Sequence, residues 1–236
     1  MLRPPFKPGS TPLKAAAAAA RCALVPTVLL TGFDAFGSSD LNPSWLTAQA
    51  LQGRRIHGHR VVAARLPTVF LESPEHLRAL LKQHRPSLVI GLGLAGGRTS
   101  LSLERVAINV DDARIPDNAG AQPVDQPISA DGPAAYFTRL PIKAMLLALQ
   151  RAGIPAEVSQ TAGTFVCNHV FYALMHALAT RRGFRQVRGG FIHLPYLPQQ
   201  GTPSMPLEDM VRGLRVAIRC ALQLHRDIAL GAGADH

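Results

Sequence analysis

Cysteine is scarce in this chain, and its scarcity excludes a class of fold. Three cysteines, Cys22, Cys167 and Cys220, among 236 residues cannot all pair and lie far apart. No disulfide framework of the kind that staples small secreted domains can be built from them, so a reducing, cytoplasmic setting is expected. Long apolar runs are missing too. Arg and Lys interrupt every hydrophobic segment well before the roughly 20 residues needed to cross a bilayer, so no membrane partner is expected. Acid is in deficit, with 15 Asp and Glu against 25 Lys and Arg and a formal net charge of +10. That balance raises nucleic acid as a partner. However, the dense basic stretch of Arg181, Arg182, Arg185 and Arg188 carries only Phe184 as an interleaved aromatic and sits in no nucleic-acid module. It reads as a solvated loop between a helix and a strand, and no nucleic-acid partner is expected.

The composition that is present, 47% hydrophobic over 236 residues, suffices for one substantial core and favours one domain over two. The first 26 residues stand apart, with Pro4, Pro5, Pro8 and Pro12 scattered, an alanine run from Ala15 to Ala20, and no acid. Residues 1–26 are read as an extension outside the fold, 27–230 as the folded domain and 231–236 as a tail. Arg3, Lys7, Lys14 and Arg21 give the extension the charge of a targeting leader, but its apolar run is short and weak for a secretory core region.

From Thr27 onward, short apolar runs alternate with helical patterns, the mark of an α/β fold around a largely parallel sheet. Strands are expected at Thr27–Thr31, Arg60–Leu66, Ser87–Leu92, Leu101–Val110, Ala156–Gln160 and Gly189–Leu194. Helical periodicity appears at Leu77, Leu80, Leu81 and His84, at Ile142, Met145, Leu146 and Leu149, and at Leu207, Met210, Val211 and Leu214. Pro74, Pro141 and Pro206 stand where these helices begin, and Gly153 follows the second as a stop.

Several residues could carry chemistry. Cys167 follows a strand candidate and opens a helical pattern with Val170, Phe171 and Leu174. At a helix N-terminus the unpaired N–H groups and the dipole favour a thiolate and can hold an oxyanion. A small apolar core residue is the plainer reading of Cys167. His193 ends a strand, where residues of open α/β sheets face the ligand crevice; a histidine satisfied by a backbone carbonyl is the alternative. Glu104 interrupts an apolar alternation, so its buried carboxylate needs a partner, for which a histidine ring, Arg105 and Arg114 are candidates. Gly91-Leu-Gly-Leu-Ala-Gly96 fits a dinucleotide fingerprint with Asp111 at about the ribose distance, but Arg98 to Val110 alternate as a strand where that fingerprint needs a helix. No metal site is expected: Cys167 and His169 cannot share a helix face, and His57 with His59 supply only two ligands.

Taken together, Thr31-Gly-Phe-Asp-Ala-Phe-Gly37, Asn42-Pro43-Ser44, Glu104-Arg-Val-Ala-Ile-Asn109, Asp112-Ala-Arg-Ile-Pro-Asp-Asn118 and the Cys167 and His193 segments resemble the pyroglutamyl peptidase I family. The likeness runs in order from about Thr27 to about Ala229. It implies a single-domain α/β/α sandwich with a mostly parallel, mixed central sheet, assembling as a homotetramer without metal or organic cofactor. It further implies a Cys167–His193–Glu104 triad and Arg114 at the oxyanion. Phe33, Phe36, Asn42, Thr68, Ile115, Phe165 and Val166 match pocket positions. The implied substrates are pyroglutamyl peptides and amides; a catalytically silent module that binds blocked N-termini is the rival expectation. The chain departs from some members at Leu94, where they carry glutamine, and in its N-terminal extension.

Overall fold

The computed structural model describes residues 25–37 and 39–233. Residues 1–24, on which nearly all of the expected extension and Cys22 fall, lie outside the described residues, as do residues 234–236. In chain order the elements are β1 (Thr27–Phe33), α1 (Pro43–Ala50), β2 (Arg55–Ile56), β3 (His59–Leu66), α2 (Ser73–His84), β4 (Leu88–Leu94), β5 (Leu101–Glu104), β6 (Val106–Ile108), β7 (Ala135–Phe137), α3 (Ile142–Arg151), β8 (Ala156–Ser159), α4 (Val166–Thr180), β9 (Arg188–Leu194) and α5 (Leu207–Gln223).

Seven strands form one sheet in the order β2-β3-β1-β4-β9-β5-β8, and β6 pairs with β7 in a separate ribbon. The run β3-β1-β4-β9 is parallel, as is β5 with β8, while β2 is antiparallel to β3 and β5 antiparallel to β9. Near-continuous apolar strands such as β1 and β4 are buried because both sheet faces are covered. The two-residue side-chain period divides them. Val28, Leu30, Ile90, Leu92, Ile192 and Leu194 meet Met145, Leu149, Leu214 and Ile218 of α3 and α5. Leu29, Phe33, Val89 and Phe191 meet Leu77 and Leu81 of α2 and Val170, Phe171 and Leu174 of α4. The result is the expected α/β/α sandwich with a mixed sheet.

Two departures from the sequence expectation bear on the site. The single strand expected over Leu101–Val110 is two strands in two sheets, broken at Arg105. Arg105 donates its N–H to Ser159 O while its carbonyl accepts from Thr138 N–H, so the chain leaves the central sheet there and enters the ribbon. Helix α1 was not anticipated, because it has no clear apolar stripe. Asn42 starts it: Oδ1 accepts the Ser44 N–H at 3.1 Å, and Pro43 occupies the first turn, where a missing N–H costs nothing.

Candidate active site

β9 turns Phe191 and His193 toward the face that α4 covers, since the alternate residues Ile192 and Leu194 belong to the opposite core. His193 is only 3% exposed and Glu104 is fully buried. Glu104 Oε1 lies 2.7 Å from His193 Nδ1. Strand β5 runs antiparallel to β9 with Ser102 opposite His193 and Leu103 opposite Ile192. Glu104 therefore reaches the imidazole from the interior of the sheet, and the other ring nitrogen has no hydrogen-bond partner among the described residues.

Cys167 is the second residue of α4, and Phe165 at the N-cap offers no side-chain acceptor to the first-turn N–H groups. These groups have no partner within the helix and are available to a developing negative charge. The helix start is fixed by fully buried Asn168. It donates to Ile108 O at 2.9 Å and Val110 O at 3.1 Å, and its Oδ1 accepts the Ile108 N–H at 3.0 Å.

Sulfur and imidazole converge on the side-chain-free position at Gly93 of β4. A Cβ placed on this glycine would stand 2.8 Å from Cys167 Sγ, 2.9 Å from His193 Cδ2 and 2.9 Å from Phe191 Cε1. The gap left by the missing side chain is what admits the pair. The glycines that mimic a dinucleotide fingerprint thus serve packing. Gly91 clears the Phe191 ring and Gly96 the Tyr196 ring, strand β5 follows where the fingerprint needs a helix, and Asp111 Oδ2 lies 2.6 Å from His169 Nδ1.

The electrostatics qualify the expected thiolate. Burial is the largest influence on Cys167 and raises its pKa from 9.0 to about 12, the Glu104 charge adds to the rise, and Arg98 opposes it. Burial and the neighbouring acid together outweigh Arg98, so the resting group is a thiol that must lose its proton as it reacts. Arg98 was not singled out from sequence. It donates from Nη1 to Glu104 Oε1 at 2.7 Å and from Nη2 to Thr161 O at 3.2 Å. The candidate partners of Glu104 resolve accordingly: His193 and Arg98 hold it, while Arg105 Nη2 donates to Ala232 O at 3.4 Å and Arg114 is exposed. A charged residue just past a glycine turn, Gly97 at φ 83°, was the available signal.

The expected pocket residues divide by role. Phe36 and Phe165 pack at 5.3 Å, and Phe70, which sequence reasoning missed, meets Phe165 edge-on at 5.2 Å, so three rings from separate loops form one wall beside Cys167. Phe33 and Val166 are buried behind it in the core. Thr68 is buried and gives both its N–H and its hydroxyl to Asp34 Oδ1, at 2.7 and 2.6 Å. The Asn42 side chain is committed to capping α1 and to Asp34 O at 2.8 Å. Ile115 and Arg114 lie exposed on the segment after Asp111. That segment is pinned over the wall: Asp117 Oδ2 accepts the Phe70 N–H at 2.9 Å, Asn118 Nδ2 donates to Ala35 O at 2.9 Å, and Asp112 N–H donates to Thr164 O at 3.0 Å.

The whole arrangement has close relatives. The family model described as pyroglutamyl peptidase matches residues 26–224. The pyrrolidone-carboxylate peptidase of Cupriavidus taiwanensis is 57% identical over 217 residues, covering 90% of this chain and 100% of the relative. That of Bacillus cytotoxicus is 51% identical over 215 residues, covering 89% and 99%. Among solved structures, pyroglutamyl peptidase I from Bacillus amyloliquefaciens superposes with a TM-score of 0.85 at 47% identity, over 87% of this chain and 99% of that one. The pyrrolidone carboxyl peptidase from Thermococcus litoralis gives 0.84 at 34% identity, over 87% and 99%. With a family match across most of its length and relatives more than half identical, this chain belongs to the pyroglutamyl peptidase family.

Proposed function

We propose that this chain is a cysteine omega-peptidase that hydrolyses the amide bond after an N-terminal pyroglutamyl residue through a thioester. The observation that carries the reading is the buried Glu104–His193 contact of 2.7 Å facing Cys167 across the side-chain-free position at Gly93. His193 takes the Cys167 proton at Nε2 while the sulfur attacks the pyroglutamyl carbonyl carbon. Glu104 fixes the tautomer with the proton on Nδ1 and stabilises the imidazolium that forms. The oxyanion is held by first-turn N–H groups of α4, with Arg114 assigned beside them. His193 then protonates the departing amine, the C–N bond breaks, and a water deprotonated by His193 cleaves the thioester, returning Cys167 to its thiol and releasing pyroglutamate.

The pocket chemistry suits such a substrate. Pyroglutamate is a small neutral lactam without an ammonium group, so recognition calls for apolar walls and a few fixed hydrogen bonds. Phe36, Phe70 and Phe165 supply the wall, Ile115 flanks it, and Phe33 and Val166 back it. Thr68 and Asn42 hold the loops that carry it. The free Cys167 and Cys220 support a cytoplasmic setting. Exposed Leu71, Val124 and Phe137 offer apolar surface for the homotetramer implied by the family, which sedimentation would count directly.

The test is hydrolysis of a fluorogenic pyroglutamyl amide under reducing conditions, with a proline amide as control. Turnover of the first alone, abolished in Cys167→Ala, is expected. A folded, reduced parent without turnover refutes the peptidase and leaves a module that binds blocked N-termini.

A further inference from the structure

The structure points to Arg98 as a fourth member of the catalytic relay, a positioning residue that acts on Cys167 through Glu104; the inference rests on the peptidase reading above. Glu104 Oε1 takes two donors at the same distance, His193 Nδ1 and Arg98 Nη1, each at 2.7 Å. Its other oxygen, Oε2, is buried and has no partner among the described residues. A carboxylate with one oxygen doubly held and the other empty has its orientation decided by those two donors. With Arg98 gone, the carboxylate can turn its free oxygen to the imidazole or swing away from it, and the ring loses a unique setting.

The same guanidinium ties the carboxylate to the approach to the nucleophile. Nη2 donates to Thr161 O, in the segment that leads from β8 into α4. Ser159 Oγ donates to that same carbonyl at 3.0 Å, so Arg98 closes a bridge from the acid to the chain entering the Cys167 helix. The turn that presents it is built for the purpose. Ala95 N–H extends the β4–β9 ladder to Leu194 O at 2.9 Å, and Arg98 N–H then folds back to Ala95 O at 3.4 Å around Gly97 at φ 83°, where a side chain is strained.

Charge gives the second half of the role. Glu104 disfavours the Cys167 thiolate and Arg98 favours it, so the arginine offsets the field of an acid that the histidine needs but the sulfur does not. During attack the proton moves from Cys167 to His193, leaving sulfur negative beside a carboxylate. Arg98, whose side chain is 26% exposed, is the fixed positive charge that makes this distribution tolerable beside the buried acid.

The experiment compares Arg98→Gln and Arg98→Lys with the parent for kcat and KM on a pyroglutamyl amide, for the pH dependence of Cys167 alkylation by iodoacetamide, and for thermal midpoint. Arg98→Gln is expected to lower kcat by roughly 10- to 100-fold, part of the 10²–10⁴-fold that a positioned general base supplies, with KM little changed and alkylation moved to higher pH. Arg98→Lys keeps the charge and is expected to restore the alkylation profile and part of kcat. Parent-like kcat and alkylation in Arg98→Gln overturn the proposal, and so does a lysine variant no better than glutamine when both melt like the parent. If Arg98→Gln fails to fold, the lysine variant decides alone: a parent-like alkylation profile with reduced kcat supports the role, and full parent kcat removes the need for the guanidinium. If the parent itself turns over no substrate, the peptidase reading fails, while the alkylation profiles still report whether Arg98 acts on Cys167.

Discussion

Adding one methyl group at position 93 gives the sharpest test of the site. In Gly93→Ala the new carbon would sit 2.8 to 2.9 Å from Cys167 Sγ, His193 Cδ2 and Phe191 Cε1, about 1 Å inside the 3.5–4.0 Å separation at which such atoms attract. Phe191 is fully buried and His193 is tied to Glu104, so neither yields freely. Cys167 can rotate about its Cα–Cβ bond, but that turns the sulfur away from the imidazole. Each way of relieving the overlap separates nucleophile and base by about 1 Å, a displacement that costs about 10²-fold in rate, or about 2.7 kcal/mol of barrier. Stability falls as well, by about 1–3 kcal/mol for an overpacked core, so a control must separate the effects. Gly189→Ala overpacks the same sheet at Leu178 Cδ1, 2.8 Å away, at the far end of β9. Steady-state hydrolysis of a pyroglutamyl amide with parallel melting curves should show similar stability losses and a kcat loss confined to Gly93→Ala. A Gly93→Ala enzyme within about threefold of parental kcat, on a scale where the expected loss is about 10²-fold, would refute the placement of Cys167 and His193 on either side of that glycine.

Two further outcomes follow from the same geometry. The Cys167 thiol ionises near 9.0 when exposed and at about 12 in the folded protein, so above about pH 9 the unfolded chain loses this proton first and stability falls as pH rises. Cys167 alone should cost about 1.4 kcal/mol between about pH 8 and about pH 10. Denaturant titrations should find this slope missing in Cys167→Ala, and identical slopes in both proteins would mean the thiol is not held protonated. Asn42→Ala should remove a helix cap worth about 1 kcal/mol and lower the melting temperature by about 2–4 °C, with any rise in KM accompanying that loss of stability through the loosened Phe36 loop. A raised KM at unaltered melting temperature would instead place Asn42 in contact with substrate.

The sheet was legible because its strands are buried on both faces, so Val28 to Leu30 and Leu88 to Leu92 carry continuous apolar runs that survive any uncertainty of register. The break at Arg105 was also written in the chain. Apolar residues fall at odd positions through Leu103 and at even positions from Val106, and a change of parity means that a strand has changed sheet or bulged. Helix α1 escaped because it is short and meets apolar neighbours on several sides, which leaves no stripe; the Asn42-Pro43 cap was its only mark. Local pattern named the three site residues only one by one, and the family resemblance alone grouped them, since the Glu104–His193 contact spans 89 positions and the space where Cys167 and His193 converge is made by an absent side chain at Gly93. Phe70 and Arg98 were overlooked because each stands in a loop whose path is set by hydrogen bonds to other loops, such as Phe70 N–H to Asp117, and no local pattern encodes such partners.

The insertion of β5 between β9 and β8 has a consequence for the life of the chain. The strand that carries the acid belongs to the middle of the polypeptide, yet its two neighbours come from later segments, one on each side. A nascent chain emerging from the ribosome therefore holds Glu104 long before it holds the histidine, and holds Cys167 before β9 exists to face it. On the proposed mechanism, catalytic power arrives only when the last strand slots into the gap between β4 and β5. If Cys167 is the nucleophile proposed above, synthesis proceeds without a competent one until the topology closes, and recovered activity in a refolding experiment is expected to mark the completion of the sheet rather than the formation of any single piece of it.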